Sequence, residues 1–549
     1  ERPSDCPPPE AKDSLLDALC KLGQEHEQRY LKSLQEAGAD ICSIGNRGAY
    51  AATIAAMQMG HTYIYQPALK NDCFLGYADF LVRVETPSNL GHWSYVPLEC
   101  KLARSPKAEF LLQTCAYCDL IEHIQGTRPP EFQLLLGDGE IQSHSTEQYF
   151  YYYHQVRKSF LEFMAAFDSD RMPLPAPGEH GQWQSYAEQT LLDRDHLSQV
   201  ANITRSQISK LEEAGIRTFQ QLATTDSQQT IPHLNPVIFH RLATQAKLQQ
   251  ATIQKGQVQY QIIPLPPDES PRGLATLPPA SAWDVYFDME GYPLVSGGLE
   301  YLFGAISEED ARFHDWWAHD LPAEKLAFEQ FIDWVYDRWQ QDPQMHIYHY
   351  AAYETIALKR LMSKYATREH QVNNLLRAEV FIDLFQIVRQ GLFVGQPSYS
   401  IKKLEPLYGR ERSEEVKNAL DSVVQYFDWI QSSEGNRPDR SPILAEIRDY
   451  NRVDCESTQE LVNWLRGLQV KHGITYVPKF HQTPAAAAPE KLDEADVLAA
   501  QLLATIEDQS PAATRIQTLL AHSLLFHKRE AKPFWWQRFE WLETDEADL

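Results

Sequence analysis

The run Val285-Tyr286-Phe287-Asp288-Met289-Glu290-Gly291 constrains this chain more than any other stretch. Three consecutive bulky apolar residues fit a buried strand. The run closes on two acids one residue apart, followed by Gly291 and Pro293. Side chains at i and i+2 of a strand share a face, so Asp288 and Glu290 project together from one edge of a sheet. Carboxylates that close repel each other, and the arrangement makes sense if a divalent cation sits between them. The rest of the chain must complete this acidic end or deliver something to it.

A chain of 549 residues exceeds one ordinary domain, and three or four are expected. A hydrophobic content of 43% is enough to bury large cores. No apolar run reaches membrane-spanning length, and no secretory signal is legible. The chain starts at Glu1 rather than Met, as a fragment or processed chain would. Eight cysteines are too sparse for a disulfide framework and fit a cytoplasmic protein with free thiols. Cys115 and Cys118 stand at C-x-x-C spacing with no second pair, which reads more plainly as two small residues on a packed helix than as a metal site. The net charge of -25 argues against a broadly basic nucleic-acid-binding surface. It does not argue against a nuclease, whose site is itself acidic.

The first segment reads as a helix over 11–40, with His26 and Glu27 inside it, then a strand over Thr62–Gln66. A single strand over Phe74–Val84 carries Asp79. After a hairpin-like loop, a strand over Ser94–Lys101 places Glu99 and Lys101 on one face. The following helix holds Gln113 and Tyr117 four apart, hence on one side. Asp79 and Glu99 can hold a divalent metal, His26 can add a ligand, and Lys101 can orient water and offset charge on a scissile phosphate. Taken alone, each of these residues is more often an ordinary surface or strand-edge group.

Taken in order, Gly23-x-x-His26-Glu27, Gly76-Tyr77-Ala78-Asp79-Phe80-Leu81, Glu99-Cys100-Lys101 and Gln113-x-x-x-Tyr117 resemble the PD-(D/E)XK nucleases of the RecB type over residues 20–165. The resemblance implies a restriction-endonuclease-like α/β core holding one or two Mg2+ or Mn2+ ions. His26, Asp79 and Glu99 would be ligands, Lys101 catalytic, and Gln113 and Tyr117 supporting. Some RecB-like relatives carry a four-cysteine iron–sulfur cluster; the cysteines here do not reproduce that arrangement, and no cluster is expected.

Residues 186–250 read as helical, with Thr204 as a cap and Ile208, Leu211, Ile216, Phe219 and Leu222 as the apolar face. The first unit resembles a helix-hairpin-helix, which would bind phosphate backbone through helix N-termini, with Arg205, Lys210 and Arg217 nearby. A plain helical spacer is the alternative. A proline-rich stretch from Ile262 to Ala280 reads as a semi-rigid connection.

Beyond Glu290, strands are expected at Tyr301–Ile306, Phe313–Trp317 and His346–Tyr350, with helices over Leu326–Trp339 and from Tyr353 past Leu361. Asp383 lies in a short apolar stretch, and Tyr399–Leu404 precedes a small helix. Tyr450 and Asp454 fall on one face of a later helix. Asp288-x-Glu290, His349-Tyr350-Ala351-Ala352-Tyr353-Glu354 and Tyr450-x-x-x-Asp454 resemble the three motifs of the DEDD exonucleases of the ribonuclease H-like fold, in particular the YprB-type branch. Glu354 stands where many relatives have aspartate. The resemblance implies that Asp288, Glu290, Glu354 and Asp454 hold two Mg2+ or Mn2+ ions about 4 Å apart, one activating water and one stabilising the leaving 3′ oxygen. Tyr450 would orient the water; at its usual pKa a phenol is a poor base. Lys402 and Lys403 would contact the nucleic acid.

The expected layout is therefore α/β multidomain: a nuclease domain at 1–180, a helical module at 181–255, a linker at 256–280, a ribonuclease H-like domain at 281–475, a linker at 476–492 and a helical tail at 493–549. This order resembles a family of RecB-like nucleases, many of which continue into a superfamily 1 helicase. No G-x-x-x-x-G-K-[ST] occurs in these residues, so no ATPase motor is legible in them, and a helicase is among the partners the resemblance implies. The tail carries an aromatic cluster, Phe534-Trp535-Trp536, that packs on its own domain or seeks a partner surface. The function expected is metal-dependent hydrolysis of phosphodiester bonds, DNA before RNA, with single-stranded ends as substrates. The alternatives are an RNA-directed exonuclease and a nucleic-acid-binding scaffold with one inactive site.

Overall fold

The computed structural model describes residues 14–44, 50–168, 175–176, 178–265, 270–295, 297–410, 419–432, 434–478, 494–505 and 510–543. The chain divides into two compact units, one of Glu1–Thr190, Gly291–Leu299 and Glu415–Ile447, the other of Leu191–Glu290, Glu300–Glu414 and Arg448–Leu549. No helix among the described residues is long and apolar enough to cross a membrane.

The first unit opens with α1 (Ser14–Glu36), β1 (Ile41–Ser43), α2 (Tyr50–Met59), β2 (Tyr63–Tyr65), β3 (Ala68–Lys70), β4 (Leu75–Tyr77), β5 (Phe80–Val84) and β6 (Ser94–Cys100). It continues with α3 (Ala108–Gln125), β7 (Glu131–Leu135), β8 (Ile141–Ser145) and α4 (Thr146–Ala165). Six strands form one sheet in the order β1-β2-β5-β6-β7-β8. Alternation sends Ile64 and Leu81 to the side of α2 and α3, where Met57, Leu120 and Ile121 cover them. The adjacent Tyr65 and Phe80, with Leu98, face Leu31 of α1. Both faces of the sheet are thus closed by helices.

The single strand expected over 74–84 is two strands. Leu75–Tyr77 pairs with β3, whereas Phe80–Val84 pairs with β2 and β6. The chain turns between them because Ala78 and Asp79 leave the hairpin: Asp79 gives its carbonyl to the Gln66 N–H at 2.8 Å and its own N–H to Glu99. Cys115 and Cys118 are fully buried on α3, packed with Phe132 and Phe150.

After α5 (Gln184–Asp193), the second unit begins with helices α6 (Arg205–Glu213), α7 (Phe219–Thr224) and α8 (Pro236–Lys255). Ile208, Leu211, Ile216, Phe219 and Leu222 form their core together with Phe239 and Leu242. Thr204 and Thr218 each build a reciprocal cap with the glutamine three residues on. The α6–α7 turn passes through Gly215 at φ 89°, a left-handed conformation that glycine adopts without strain. Thr204→Ala should cost about 1 kcal/mol locally, read as roughly fivefold faster amide exchange in α6 with other helices unchanged.

The chain then forms β9 (Tyr260–Ile262), β10 (Val285–Tyr292), β11 (Leu299–Ser307), β12 (Phe313–Trp317), α9 (Leu321–Gln341), β13 (Ile347–His349), α10 (Tyr353–Tyr365), α11 (Glu369–Arg377), β14 (Phe381–Asp383), α12 (Leu384–Gly391), β15 (Leu392–Val394) and α13 (Ile401–Leu404). After α14 (Ala419–Gln431), which belongs to the first unit, come α15 (Pro442–His472), α16 (Glu494–Ala504), α17 (Pro511–Leu524) and α18 (Phe526–Glu543).

The sheet order β12-β11-β10-β13-β14 puts β10 at the centre. Val285, Phe287 and Met289 enter a core with Phe328, Phe331 and Ile332 of α9 and Leu358 of α10. Tyr286 enters the opposite core, with Ile387 of α12 and Leu461 and Leu465 of α15. The rings of Phe287 and Phe331 stack with centroids 4.1 Å apart. Burial of a phenylalanine contributes roughly 1.5–3 kcal/mol, which fixes which face of β10 turns toward α9 and α10.

The proline-rich stretch read as a connection contributes to this unit. Tyr260–Ile262 pairs with β15, and Leu274 and Leu277 are buried beside Leu392 and Leu468. In the tail, Lys528 pairs with Asp496 at 2.5 Å and Arg529 with Glu369 of α11 at 2.9 Å. Phe534 is exposed, and the side chains of Trp535 and Trp536 lie outside the described residues.

Candidate active site

The face of β10 that carries Tyr286 also carries Asp288 and Glu290, so the alternation that buries Phe287 aims both acids at the α15 side. There Asp454 joins them. One ligand atom from each of Asp288, Glu290 and Asp454 lies within 4.8 Å of the others. Tyr450, one turn before Asp454, is buried, and its hydroxyl accepts from Lys402 Nζ at 3.1 Å.

Glu354 does not join this trio. It lies in the first turn of α10, is 3% exposed, and faces His349, whose Nδ1 is 3.4 Å from Glu354 Oε2. That Nδ1 lies 2.6 Å from the Ala351 carbonyl. Burial pulls the His349 pKa down, but the Glu354 and Asp383 carboxylates and the Ala351 carbonyl together hold the imidazole above its ordinary value. Glu354 still lies in the neighbourhood: burial, then the charges of Asp288, Asp454 and Glu354, push the Cys455 thiol up.

Two residues of this site escaped sequence reasoning. Asn451 is fully buried, and its Nδ2 donates to Asp288 Oδ2 at 2.7 Å. Cys455, one turn on, points its Sγ at the Gly304 carbonyl at 3.3 Å. A Cβ on Gly304 would stand 1.6 Å from Asn451 Oδ1, so glycine here makes room for the Asn451 amide against β11. The sequence holds only half of the signal: Gly304 breaks the bulky run Tyr301-Leu302-Phe303, and nothing beside Asn451 marks it as its partner.

The donor set fits a hard divalent cation. All three clustered groups are carboxylates, and Glu354 Oε2 is a buried oxygen with no hydrogen-bond partner among the described residues.

A second constellation lies in the first unit. Asp79 Oδ2 accepts from the Cys100 N–H at 2.7 Å, and Glu99 Oε2 from the Asp79 N–H at 3.3 Å. Lys101 Nζ donates to Glu99 Oε1 at 3.1 Å and to Gln113 Oε1 at 2.8 Å. Gln113 Nε2 donates to Glu99 Oε1 at 3.0 Å and to the Tyr117 hydroxyl at 2.8 Å, and that hydroxyl donates to the Tyr77 carbonyl. Burial, then the charges of Glu99 and Glu27, hold the Asp79 carboxyl well above its usual range. Burial likewise raises Glu99, against the pull of Lys101.

His26, expected as a ligand here, is buried with Nε2 3.5 Å from the Leu135 carbonyl, the same oxygen that accepts from the Lys101 N–H. Among the described residues it does not cluster with Asp79 and Glu99 as tightly as the trio around Asp288. The acid beside it, Glu27, is the group from α1 whose charge reaches Asp79 and Glu99; Gln66 Nε2 donates to it at 3.0 Å. Of the basic residues expected on the helical module, Arg205 and Arg217 are exposed and Lys210 is half-buried. Lys403 is exposed, whereas Lys402 is turned to Tyr450.

Residues 285–466 match the family model of the RNase_H superfamily. The matched segment starts on the first residue of β10 and ends inside α15, so it contains Asp288, Glu290, Glu354, Tyr450 and Asp454. This segment is an RNase H-like nuclease domain, a class that uses divalent metal ions, and it carries a carboxylate cluster of the kind such ions need. A comparison with curated proteins gives no match.

Proposed function

We propose that the chain is a metal-dependent nuclease with two active sites, acting on DNA in preference to RNA and on single-stranded ends. The reading rests on one observation above the rest: three carboxylates converge at the end of β10 inside an RNase H-like domain. Asp288, Glu290 and Asp454 would hold Mg2+ or Mn2+, with Glu354 turning from His349 to complete a two-ion site. Bound ions supply Lewis-acid stabilisation and a nucleophilic water. Asn451 keeps the Asp288 carboxylate aimed at the trio. The Tyr450 hydroxyl orients the attacking water on the α15 side.

The reading of a second site, of PD-(D/E)XK type, is supported by the network that joins Asp79, Glu99, Lys101, Gln113 and Tyr117. Asp79 and Glu99 would be ligands, and Lys101 would bring its ammonium to the scissile phosphate. The exposed Arg205, Arg217 and Lys403 offer phosphate contacts, and a helicase is the partner that would feed such a nuclease single strands.

Incubation with end-labelled single- and double-stranded DNA and RNA, with Mg2+, Mn2+ or chelator, tests this. Metal-dependent cleavage is expected, with Lys101→Ala removing one share of it, Asp288→Ala the other, and the two together lowering it at least about 100-fold. If neither substitution alters cleavage, the enzyme reading fails. If only one does, the other unit is a binding module.

A further inference from the structure

Lys402 had a plain reading as a phosphate contact, yet its ammonium is directed into the protein. Nζ lies 3.1 Å from the Tyr450 hydroxyl and 5.1 Å from the centre of the Tyr450 ring. An ammonium only donates, so the phenolic oxygen is the acceptor and its own proton points away from Lys402. Tyr450 as a whole is 5% exposed, so its ring is held within the packed interior.

The segment that presents Lys402 is pinned on both sides. Before it, the Tyr399 hydroxyl accepts from the Val394 N–H at 3.1 Å and lies 2.9 Å from Gln245 Oε1, while the Tyr399 carbonyl accepts from the Tyr350 hydroxyl. After it, Leu404 is fully buried in the core shared with α15. Lys402 is therefore delivered to Tyr450 by a fixed piece of backbone, which a mobile phosphate contact does not need.

We propose that Lys402 is a positioning residue for Tyr450. Its ammonium occupies one side of the phenolic oxygen and sets the direction of the O–H, which then addresses the water or phosphate at the carboxylate trio. The inference rests on the nuclease reading of this site and adds to it a group outside the acidic trio and Tyr450.

The test uses the full chain carrying Lys101→Ala, so that only the site at β10 is followed, and the substrate it cleaves, in a cycle of Lys402→Met, Tyr450→Phe and both together, with Lys402→Arg and Asp288→Ala alongside. Lys402→Met should lower kcat roughly 10- to 100-fold and leave KM within about twofold. Lys402→Arg should recover most of the loss. In the Tyr450→Phe background, Lys402→Met should cost less than about twofold, because the group it positions is gone. With 3-fluorotyrosine incorporated, the 19F resonance that disappears in Tyr450→Phe should shift in Lys402→Met, without substrate or metal. A raised KM with intact kcat, or a full-sized loss in the Tyr450→Phe background, overturns the positioning role while Asp288→Ala still abolishes cleavage. Full cleavage by Asp288→Ala in the same background overturns the nuclease reading of this site and the role of Lys402 together.

Discussion

Gly304→Ala is expected to lower cleavage by the RNase H-like domain about 100-fold while the chain still folds. The added methyl would meet Asn451 Oδ1 at 1.6 Å, Asn451 Cγ at 2.8 Å and Phe313 Cζ at 2.9 Å. Asn451 is fully buried on α15, so the methyl either turns its amide away from Asp288 or pushes α15 back from β11. Overpacking of this kind costs roughly 1–3 kcal/mol, which a domain of this size survives. The larger effect is on geometry. In the first case Asn451 loses its bond to Asp288; in the second Asp454, one turn on, moves out from the trio. A misplacement of about 1 Å is enough for a 100-fold loss. Asn451→Ala should lower activity similarly with less loss of stability, and Gly304→Ala in that background should cost little more. A fully active Gly304→Ala variant would mean that the approach of α15 does not set the site.

Arg466→Ala carries the largest expected loss of stability. Asp284 is fully buried at the start of β10, and its carboxylate accepts from Arg466 at 2.9 Å, from the His346 N–H at 2.9 Å and from the Ser281 N–H at 3.1 Å. Arg466 also donates to the Tyr348 hydroxyl at 2.7 Å and to the Pro278 and Pro279 carbonyls. One guanidinium thereby ties α15 to β13 and to the entry into β10. Removing one partner of such a buried pair costs about 3–5 kcal/mol, or on the order of 10 °C in the melting midpoint of the unit. The pH dependence has a definite sign. Burial holds the Asp284 carboxyl above its ordinary value, against the Ser281 N–H and the Arg466 guanidinium. A folded pKa above the unfolded one gives stability that is present at low pH and lost as pH rises through the folded value. Without Arg466 the folded value rises further, so the deficit should be smallest near pH 4 and grow above it. A midpoint within about 2 °C of the parent at pH 7 would contradict this account.

What could be read from the sequence was set by local periodicity. Alternation along 285–290 assigns Phe287 to the core and Asp288 and Glu290 to the other side, and the i, i+4 spacing puts Tyr450 and Asp454 on one helix face. The same rules placed Glu99, Lys101, Gln113 and Tyr117 where they do meet. What could not be read depends on contacts far apart in the chain. Glu354 faces His349 because the turn before α10 brings the two together, and nothing in their spacing shows which way either points. His26 and Glu27 are neighbours on α1, and only the docking of that helix decides which reaches Asp79. The turn at Ala78–Asp79 follows from two different pairing partners. Asn451 becomes visible only when Gly304 is set against it.

The most direct test of the central claim isolates the site at β10. In the full chain, Lys101→Ala is introduced to remove any cleavage by the proposed site of the first unit, and hydrolysis of 5′-labelled single-stranded DNA is followed in Mg2+ and in chelator. Lys101→Ala should retain cleavage that chelator abolishes, and adding Asp288→Asn should remove at least about 100-fold of it. Equal metal-dependent cleavage by Lys101→Ala with and without Asp288→Asn would contradict the assignment of Asp288, Glu290 and Asp454 as the metal-binding catalytic centre.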